Sequence, residues 1–487
     1  MLPASKSPAC LWDLRGTRCC LSIIVATVCH TVQACWCIPR WKATLAIRHN
    51  SGTLQRTTLP SVRPGYISLY SEGPASGSHV TRFLVASMLA VHAHAAVRQA
   101  RAPRRAGERT IWADAEPARE AHVANLERRR ILLSTVVPAL AQLPPANAEA
   151  PDAGGPRLTA LTPATLALAK GMVCVVTGAT AGVGLEAARN LVCNGAEVYV
   201  CGRTAEKANA AVADILDSTK SQASPGKAMP MELDLASLAS IRSFAASWKA
   251  AEHRPIDVLA LNAGLALQSG LKAEEALLSR DGLELTVATN HLGHFLLYNL
   301  LQDQLGTHAR VVVTASSVHD PAAGDPGAQA TLGDLSGFRQ PRAVGLMVDG
   351  GAYDSGKAYK DSKLCNVLFT LELARRLKQQ GSMVTANCLS PGLIPSKTFF
   401  RNQSPGFADA FAFAARSVLR IAETTEFGGD ALTFMALDPS LSDRSGLFYS
   451  AVPPGQHVFT ERTPSPEARD AEKAAELWRL SAAIVGV

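Results

Sequence analysis

Val173-Cys-Val-Val-Thr177, Gly178-Ala-Thr-Ala-Gly-Val-Gly184 and Leu185-Glu-Ala-Ala-Arg-Asn-Leu-Val-Cys-Asn194 form the stretch that decides the fold. The first run is apolar and rich in β-branched residues, without polar alternation, as in a strand buried on both faces. The last carries apolar residues at helical spacing. Between them, Gly178, Gly182 and Gly184 let the backbone turn tightly and approach a bound group, with a helix N-terminus aimed at it. Glycines in an ordinary loop can share this spacing. The strand–turn–helix setting is what makes the reading specific.

Working outward, the same alternation continues. Residues 197–201, 231–233, 257–261, 310–314 and 384–389 read as strands, and 205–218, 237–250, 283–301 and 357–378 as helices. Strands separated by helices lie parallel and are covered on both faces. The expected fold class is α/β, a Rossmann-type doubly wound parallel sheet, with ligands beyond the carboxyl ends of the strands. It forms a single catalytic domain over 156–487 behind a long N-terminal extension, 1–155. Residues 319–353 are a Gly/Pro-rich insertion longer than an ordinary connection, and therefore expected to be functional. The apolar segment 404–419 suits either a lid over a cleft or a packed surface helix.

The extension differs in composition from the rest. No Asp or Glu occurs between Leu14 and Ser71, while Ser, Thr and Arg are plentiful, as in transit peptides. Three apolar segments follow basic or mixed flanks, at 19–37, 83–97 and 128–143, the last ending in Pro144-Pro-Ala-Asn-Ala-Glu-Ala150. Stacked signals of this kind predict a targeting leader for the plastid (chloroplast), with thylakoid association as an option. The net charge of +7 is concentrated toward this end, at Arg15, Arg18, Arg40, Lys42, Arg48, Arg56 and Arg63. No nucleic-acid motif accompanies it, so no nucleic-acid partner is expected. Six of the 11 cysteines lie in the extension, and there is no Cys-x-x-Cys pair or His/Cys cluster, so no metal is expected.

The second strand ends in Cys201-Gly-Arg-Thr204. An acid at this point would hold a ribose 2′-hydroxyl, whereas the Arg203 guanidinium suits a 2′-phosphate, so the expected cofactor is NADPH. Thr180 and Val183 lie within the Gly-rich turn. Asp234 and Leu235 follow the third strand, with Asp234 placed for the adenine amino group, and Asn262-Ala263-Gly264 ends the fourth to line the groove. Farther on, Lys357-Ala-Tyr359-Lys-Asp-Ser-Lys363 places a phenol and an ammonium on one helix face. The ammonium stabilises the phenolate, which makes the pair a proton donor for a reducible substrate.

The ordered set Thr-Gly-x-x-x-Gly-x-Gly, Asn-Ala-Gly, Asn290, Ser316 and Tyr-x-x-x-Lys resembles the short-chain dehydrogenase/reductase family across most of 171–487. The resemblance implies Tyr359 as proton donor and Lys363 as the residue that binds the nicotinamide ribose and lowers the Tyr359 pKa. It also implies Ser316 at the substrate carbonyl, with Ser317 as competitor one position on, and Asn290 holding a water of the proton relay. Pro391, Gly392 and Ser396 would contact the nicotinamide end. His291 and His294 are expected to be structural.

Within that family the chain is similar to the light-dependent protochlorophyllide reductase branch. Carrying segments are Thr289-Asn-His-Leu-Gly-His-Phe-Leu-Leu297, Leu332-Gly-Asp-Leu-Ser-Gly337, Met347-Val-Asp-Gly-Gly351, Gly356-Lys-Ala-Tyr-Lys-Asp-Ser-Lys-Leu-Cys-Asn366, Asp438-Pro-Ser-Leu-Ser-Asp-Arg-Ser-Gly-Leu447, Ala468-Arg-Asp-Ala-Glu-Lys473 and Trp478. The branch implies hydride transfer to a pyrrole-ring double bond after photon absorption. It carries Tyr-Pro-Gly-Cys where this chain has Ser390-Pro-Gly-Leu393, and Ala-Ala-Val-Tyr where this chain has Ala263-Gly-Leu-Ala266. Three readings therefore stay open: reduction of a tetrapyrrole, light-independent chemistry on a bulky apolar carbonyl or alkene, and a non-catalytic NADPH sensor. Peripheral membrane association and a homo-oligomer are compatible with all three.

Overall fold

The computed structural model describes Thr44–Arg48, Leu54–Thr58 and residues 157–487, except 159, 221, 223, 268–270, 272–274, 326, 344 and 396–406. The chain divides into two compact units, Met1–Ala75 and Ser76–Val487. In the first, β1 (Thr44–Arg48) and β2 (Leu54–Thr58) pair antiparallel with Thr44 opposite Thr58. The three apolar leader segments and Ser396 lie outside the described residues.

In the second unit, α1 (Pro163–Ala167) leads into β3 (Val173–Thr177), which is buried along its whole length. Its side chains alternate, Val173 and Val175 entering one core and Cys174 and Val176 the other. That is why the strand reads as an unbroken apolar run: both faces are covered. The chain continues through α2 (Gly182–Cys193), β4 (Glu197–Gly202), α3 (Ala205–Ser218), β5 (Lys227–Glu232), α4 (Leu238–Ala250) and β6 (Ile256–Leu261). Next come α5 (Leu285–Val287), a π turn (Ala288–Leu292), α6 (Gly293–Leu301), β7 (Leu305–Thr314), α7 (Ser355–Gln379) and β8 (Thr385–Ser390). The unit ends with α8 (Phe407–Phe413), α9 (Thr425–Leu437), β9 (Phe448–Ala451), β10 (Phe459–Arg462) and α10 (Ala471–Val485).

The eight strands are ordered β10-β9-β8-β7-β6-β3-β4-β5, all neighbours parallel except β9 and β10. Strand order reverses on either side of β3, since β4 lies on one side and β6 on the other. A crevice therefore opens above the carboxyl ends of β3 and β6, the switch point at which ligands bind in such sheets. The sheet is the expected one, with two additions and two strands that begin early, β7 starting five residues before the expected 310. β5 begins four residues before the expected 231. Its sequence, Lys-Ala-Met-Pro-Met-Glu, carries Pro230 and reads poorly as a strand, yet at the sheet edge a missing N–H is tolerated. β9 and β10 extend the opposite edge as a hairpin.

Candidate active site

Thr177, the last residue of β3, organises the crevice floor. Its Oγ1 accepts hydrogen bonds from Asn262 N at 2.8 Å and Ala263 N at 3.0 Å. Asn262 Nδ2 donates to Thr177 O at 3.1 Å, and Thr314 Oγ1 donates to Asn262 Oδ1 at 3.1 Å. The ends of β3, β6 and β7 are thereby locked together. His294 adds a further bond, with Nε2 2.9 Å from Thr177 Oγ1 and Nδ1 3.1 Å from Asn290 O. A carbonyl can only accept, so Nδ1 carries the proton and Nε2 is an acceptor, sharing the single hydroxyl hydrogen of Thr177 with Ala260 O at 3.2 Å. Burial holds this imidazole neutral, its pKa pushed down to about 4. His294 is structural as expected, but its task is to brace the cofactor turn. Neither it nor Thr177 was singled out from the sequence as a site support.

The Gly-rich turn leaves room for a bound group. Gly178 and Gly182 have φ of +64° and +60°, which favours glycine. A Cβ on Gly184 would lie 2.5 Å from Asn262 Nδ2 and 2.6 Å from Gly178 O. Only glycine permits this close approach of helix to strand. At the end of β4, Arg203 is exposed, and Thr180 packs so closely on Gly202 that a Cβ there would meet its Cγ2 at 2.6 Å. Val183, Ile394 and Pro391 gather around Gly428 of α9. Asp234 Oδ1 accepts from Ala236 N at 3.1 Å, and Leu235 is buried against Gly293. A glycine-lined turn, the N-terminus of α2 and an exposed arginine at the tip of β4 together fit a dinucleotide with a 2′-phosphate.

α7 carries the reacting pair to the neighbouring strand ends. Its N-cap is Asp354, which accepts from Lys357 N at 2.7 Å, so the helix starts two residues ahead of the expected 357. Lys363 Nζ donates to Thr314 O at 3.0 Å and lies 5.6 Å from the Tyr359 ring centroid. Gly264 comes close to both Lys363 Nζ and Asn290 Oδ1: a Cβ there would be 3.4 Å from each. The hydroxyl bonded to the Tyr359 phenol is that of Ser316, whereas Ser317 N donates to Ser390 Oγ at 2.9 Å. Burial raises the Tyr359 pKa above that of an ordinary phenol, the Ser316 bond pulls it back, and Asp325 adds to the rise. The protein's own groups thus keep the phenol protonated, rather than lowering its pKa through Lys363. Burial pushes the Lys363 ammonium down to about 8.

Asn290 sits in the π turn, where one extra residue per turn rotates the side chain toward the strand ends. Its Oδ1 accepts from Leu265 N at 2.8 Å, and its Nδ2 donates to Leu265 O at 2.9 Å and Ser362 Oγ at 3.0 Å. Both amide hydrogens are committed, so a water here would be held through oxygen acceptors. Ser362 in turn donates to Tyr359 O at 2.6 Å, linking this network to the helix of the pair. Gly392, at φ +86°, follows Pro391 beyond β8. Leu393 packs with Ala414, Ala415 and Ile421. Cys388 lies inside β8 with its thiol raised to about 12 by burial, and does not replace a thiol at position 393.

A profile of the short chain dehydrogenase family matches residues 172–325. Among curated relatives, "Protochlorophyllide reductase, chloroplastic" of Pisum sativum is 35% identical over 337 residues, covering 66% of this chain and 79% of that protein. The protein of the same name from Daucus carota is 36% identical over 339 residues, with the same coverage of 66% and 79%. Among solved structures, an uncharacterized protein from Mycobacterium Paratuberculosis is 29% identical, with TM-score 0.47, over 65% of this chain and 94% of that one.

Proposed function

The chain belongs to the short-chain dehydrogenase family, a family of oxidoreductases, and from that premise we propose that it is an NADPH-dependent reductase of the protochlorophyllide reductase type. The observation that carries the proposal is the Ser316–Tyr359 hydrogen bond with the Lys363 ammonium beside it, above the glycine-lined turn at the switch point of the sheet. NADPH, when bound, supplies the hydride. Gly178, Thr180, Gly182, Val183 and Gly184 hold its pyrophosphate at the N-terminus of α2, and Arg203 pairs with the 2′-phosphate. Asp234, Leu235, Asn262, Ala263 and Gly264 line the adenine and ribose groove, and Pro391 and Gly392 border the nicotinamide end.

Tyr359, kept protonated by burial, hands its phenolic proton to the substrate, and Ser316 then stabilises the phenolate that remains. Lys363 holds the nicotinamide ribose, and Asn290 holds the water that leads the proton in. The plant relatives named as chloroplastic protochlorophyllide reductases, together with the acidic-poor leader, support a tetrapyrrole substrate and a plastid location.

The full chain with NADPH and protochlorophyllide should lose pigment absorbance under illumination and keep it in the dark. An unchanged spectrum after flashes, with NADPH demonstrably bound, would overturn the pigment reading. The apolar surroundings of Leu393 favour a second reading, light-independent reduction of a bulky apolar carbonyl. NADPH oxidation in the dark by such an aldehyde would establish it.

Two further outcomes test the site. Arg203→Asp should weaken NADPH about 10–100-fold, the loss of one charge-assisted hydrogen bond, while leaving NADH little changed. Equal weakening of both cofactors would remove the 2′-phosphate from the account. Because kcat/KM reports groups of the free enzyme, it should fall as pH rises past about 8, where Lys363 loses its proton. A flat profile to pH 9.5, about 1.5 units higher, would show that the ammonium is not needed.

A further inference from the structure

The turn that borders the nicotinamide end is fastened by a group that the chemistry above does not use. Glu423, 1% exposed, lies between the turn after β8 and the start of α9. Its backbone N donates to Leu393 O at 2.8 Å, and Ala422 forms a parallel bridge with Leu393. The carboxylate then reaches the β9–β10 turn. Oε1 accepts from Gly455 N at 2.6 Å and Oε2 from His457 Nδ1 at 2.5 Å. His457 also packs on Phe427 of α9, ring centroids 5.1 Å apart.

The backbone around this carboxylate is closely packed and strained. Gly392 has φ +86°, and a Cβ on it would lie 2.5 Å from Glu423 Cγ and 3.0 Å from Ala451 Cβ. Gly455, at φ +75°, would bring a Cβ within 2.1 Å of Arg420 O. Arg420 and His457 both adopt φ +52° without being glycine. Such conformations persist where the surroundings over-determine them. Burial pushes the Glu423 carboxyl up, while the bonds from Gly455 and His457 pull it back. A buried carboxylate with backbone and imidazole donors and no place in the proton path has the chemistry of a fastener.

We propose that Glu423, held by His457, is a positioning residue that sets where the Pro391–Gly392 turn stands against the nicotinamide end of the cofactor. The inference rests on the reductase reading for what that turn borders, and on the geometry alone for the fastening. Cofactor affinity is supplied mainly from the other end, by the Gly178–Gly184 turn and Arg203. Loosening the Glu423 knot therefore misplaces the hydride-donating ring more than it weakens binding.

His457 is half-exposed, so its replacement spares the core. His457→Leu should lower kcat roughly tenfold, about 1.4 kcal/mol of barrier, with NADPH affinity measured by fluorescence within about twofold. His457→Asn places an N–H donor near the position of Nδ1 and should restore most of the rate. In the NADPH-bound full chain, hydrogen exchange in peptides spanning 391–395 and 420–424 should accelerate in His457→Leu and return in His457→Asn. Unchanged kcat and exchange in His457→Leu would overturn the proposal. So would equal losses in the Leu and Asn variants that track melting temperature, since those mark a purely structural contact. If the wild type turns over no substrate, the reductase reading fails on its own, and the exchange experiment still decides the fastening.

Discussion

Tyr359→Phe should reduce turnover by about 10²–10⁴-fold, the range a positioned general acid supplies, while NADPH affinity stays within about twofold. The side chain is half-buried on α7 with its hydroxyl bonded to Ser316, so the substitution removes one oxygen and leaves the ring's packing in place. Among the described residues, neither neighbour is placed as Tyr359 is. Lys363 Nζ is committed to Thr314 O at 3.0 Å, and Ser316 is a far weaker acid than a phenol. The two readouts separate the roles: absorbance or NADPH oxidation for kcat, and cofactor fluorescence for binding. Retained turnover would move the proton donor elsewhere. Lost binding would make Tyr359 a groove residue instead. Ser316→Ala should cost less, because the phenol keeps its proton without the hydroxyl, whose bond lowers the Tyr359 pKa.

The groups that make this prediction possible were legible for a simple reason: each lies on an element whose period is plain in the chain. β3 is an unbroken apolar run because both its faces are covered, and the glycines after it have no side chains to obscure the turn. Tyr359 and Lys363 share a helix face at i and i+4. What was not legible depends on partners distant in sequence. Residues 283–301 read as one helix, and no local pattern announces the π turn at Ala288–Leu292 that turns Asn290 toward Leu265 and Ser362. Thr177 looks like one more β-branched strand residue until its hydroxyl meets Asn262, Ala263 and His294. The Tyr359 pKa is raised because burial penalises the phenolate, which the i, i+4 spacing to Lys363 does not reveal. Glu423 gives no signal at all, since its donors lie 32 and 34 residues downstream.

Lys357 belongs to the same class of remote partners, and its replacement should have the largest effect on stability. Lys357 Nζ, its side chain 12% exposed, lies 3.0 Å from Asp349 Oδ2 and 2.5 Å from Asp361 Oδ2, and donates to Thr331 O at 2.9 Å. Asp361 has no exposure and also accepts from Thr331 N at 3.1 Å. These bonds fasten the insertion to α7 on either side of Tyr359, and Lys360 adds a second fastening to Asp325 at 2.7 Å. Lys357→Met leaves two carboxylates facing one another, one of them fully buried, and breaking such a pair costs about 3–5 kcal/mol. The sign of the pH dependence follows from Asp361, whose carboxyl burial pushes up to about 7 against the pull of Lys357.

A carboxyl with a raised folded pKa contributes stability below its unfolded value, and loses it as pH rises through the folded one. Removing Lys357 raises the folded pKa further, so variant and wild type diverge only where wild-type Asp361 is ionised, above pH about 7. Denaturant melts should therefore show a small deficit at pH 5.5 and one of about 2 kcal/mol near pH 8.5, since a single proton changes stability by about 1.4 kcal/mol per pH unit over the roughly 1.5 units above that midpoint. Hydrogen exchange in 345–353 should accelerate over the same range. Lys357→Met combined with Asp361→Leu should recover much of the loss, because an apolar pair can replace a buried ionic one. A deficit equal at both pH values, or no recovery in the double variant, would show that the lysine stem's packing, and not its charge, holds the insertion beside Tyr359.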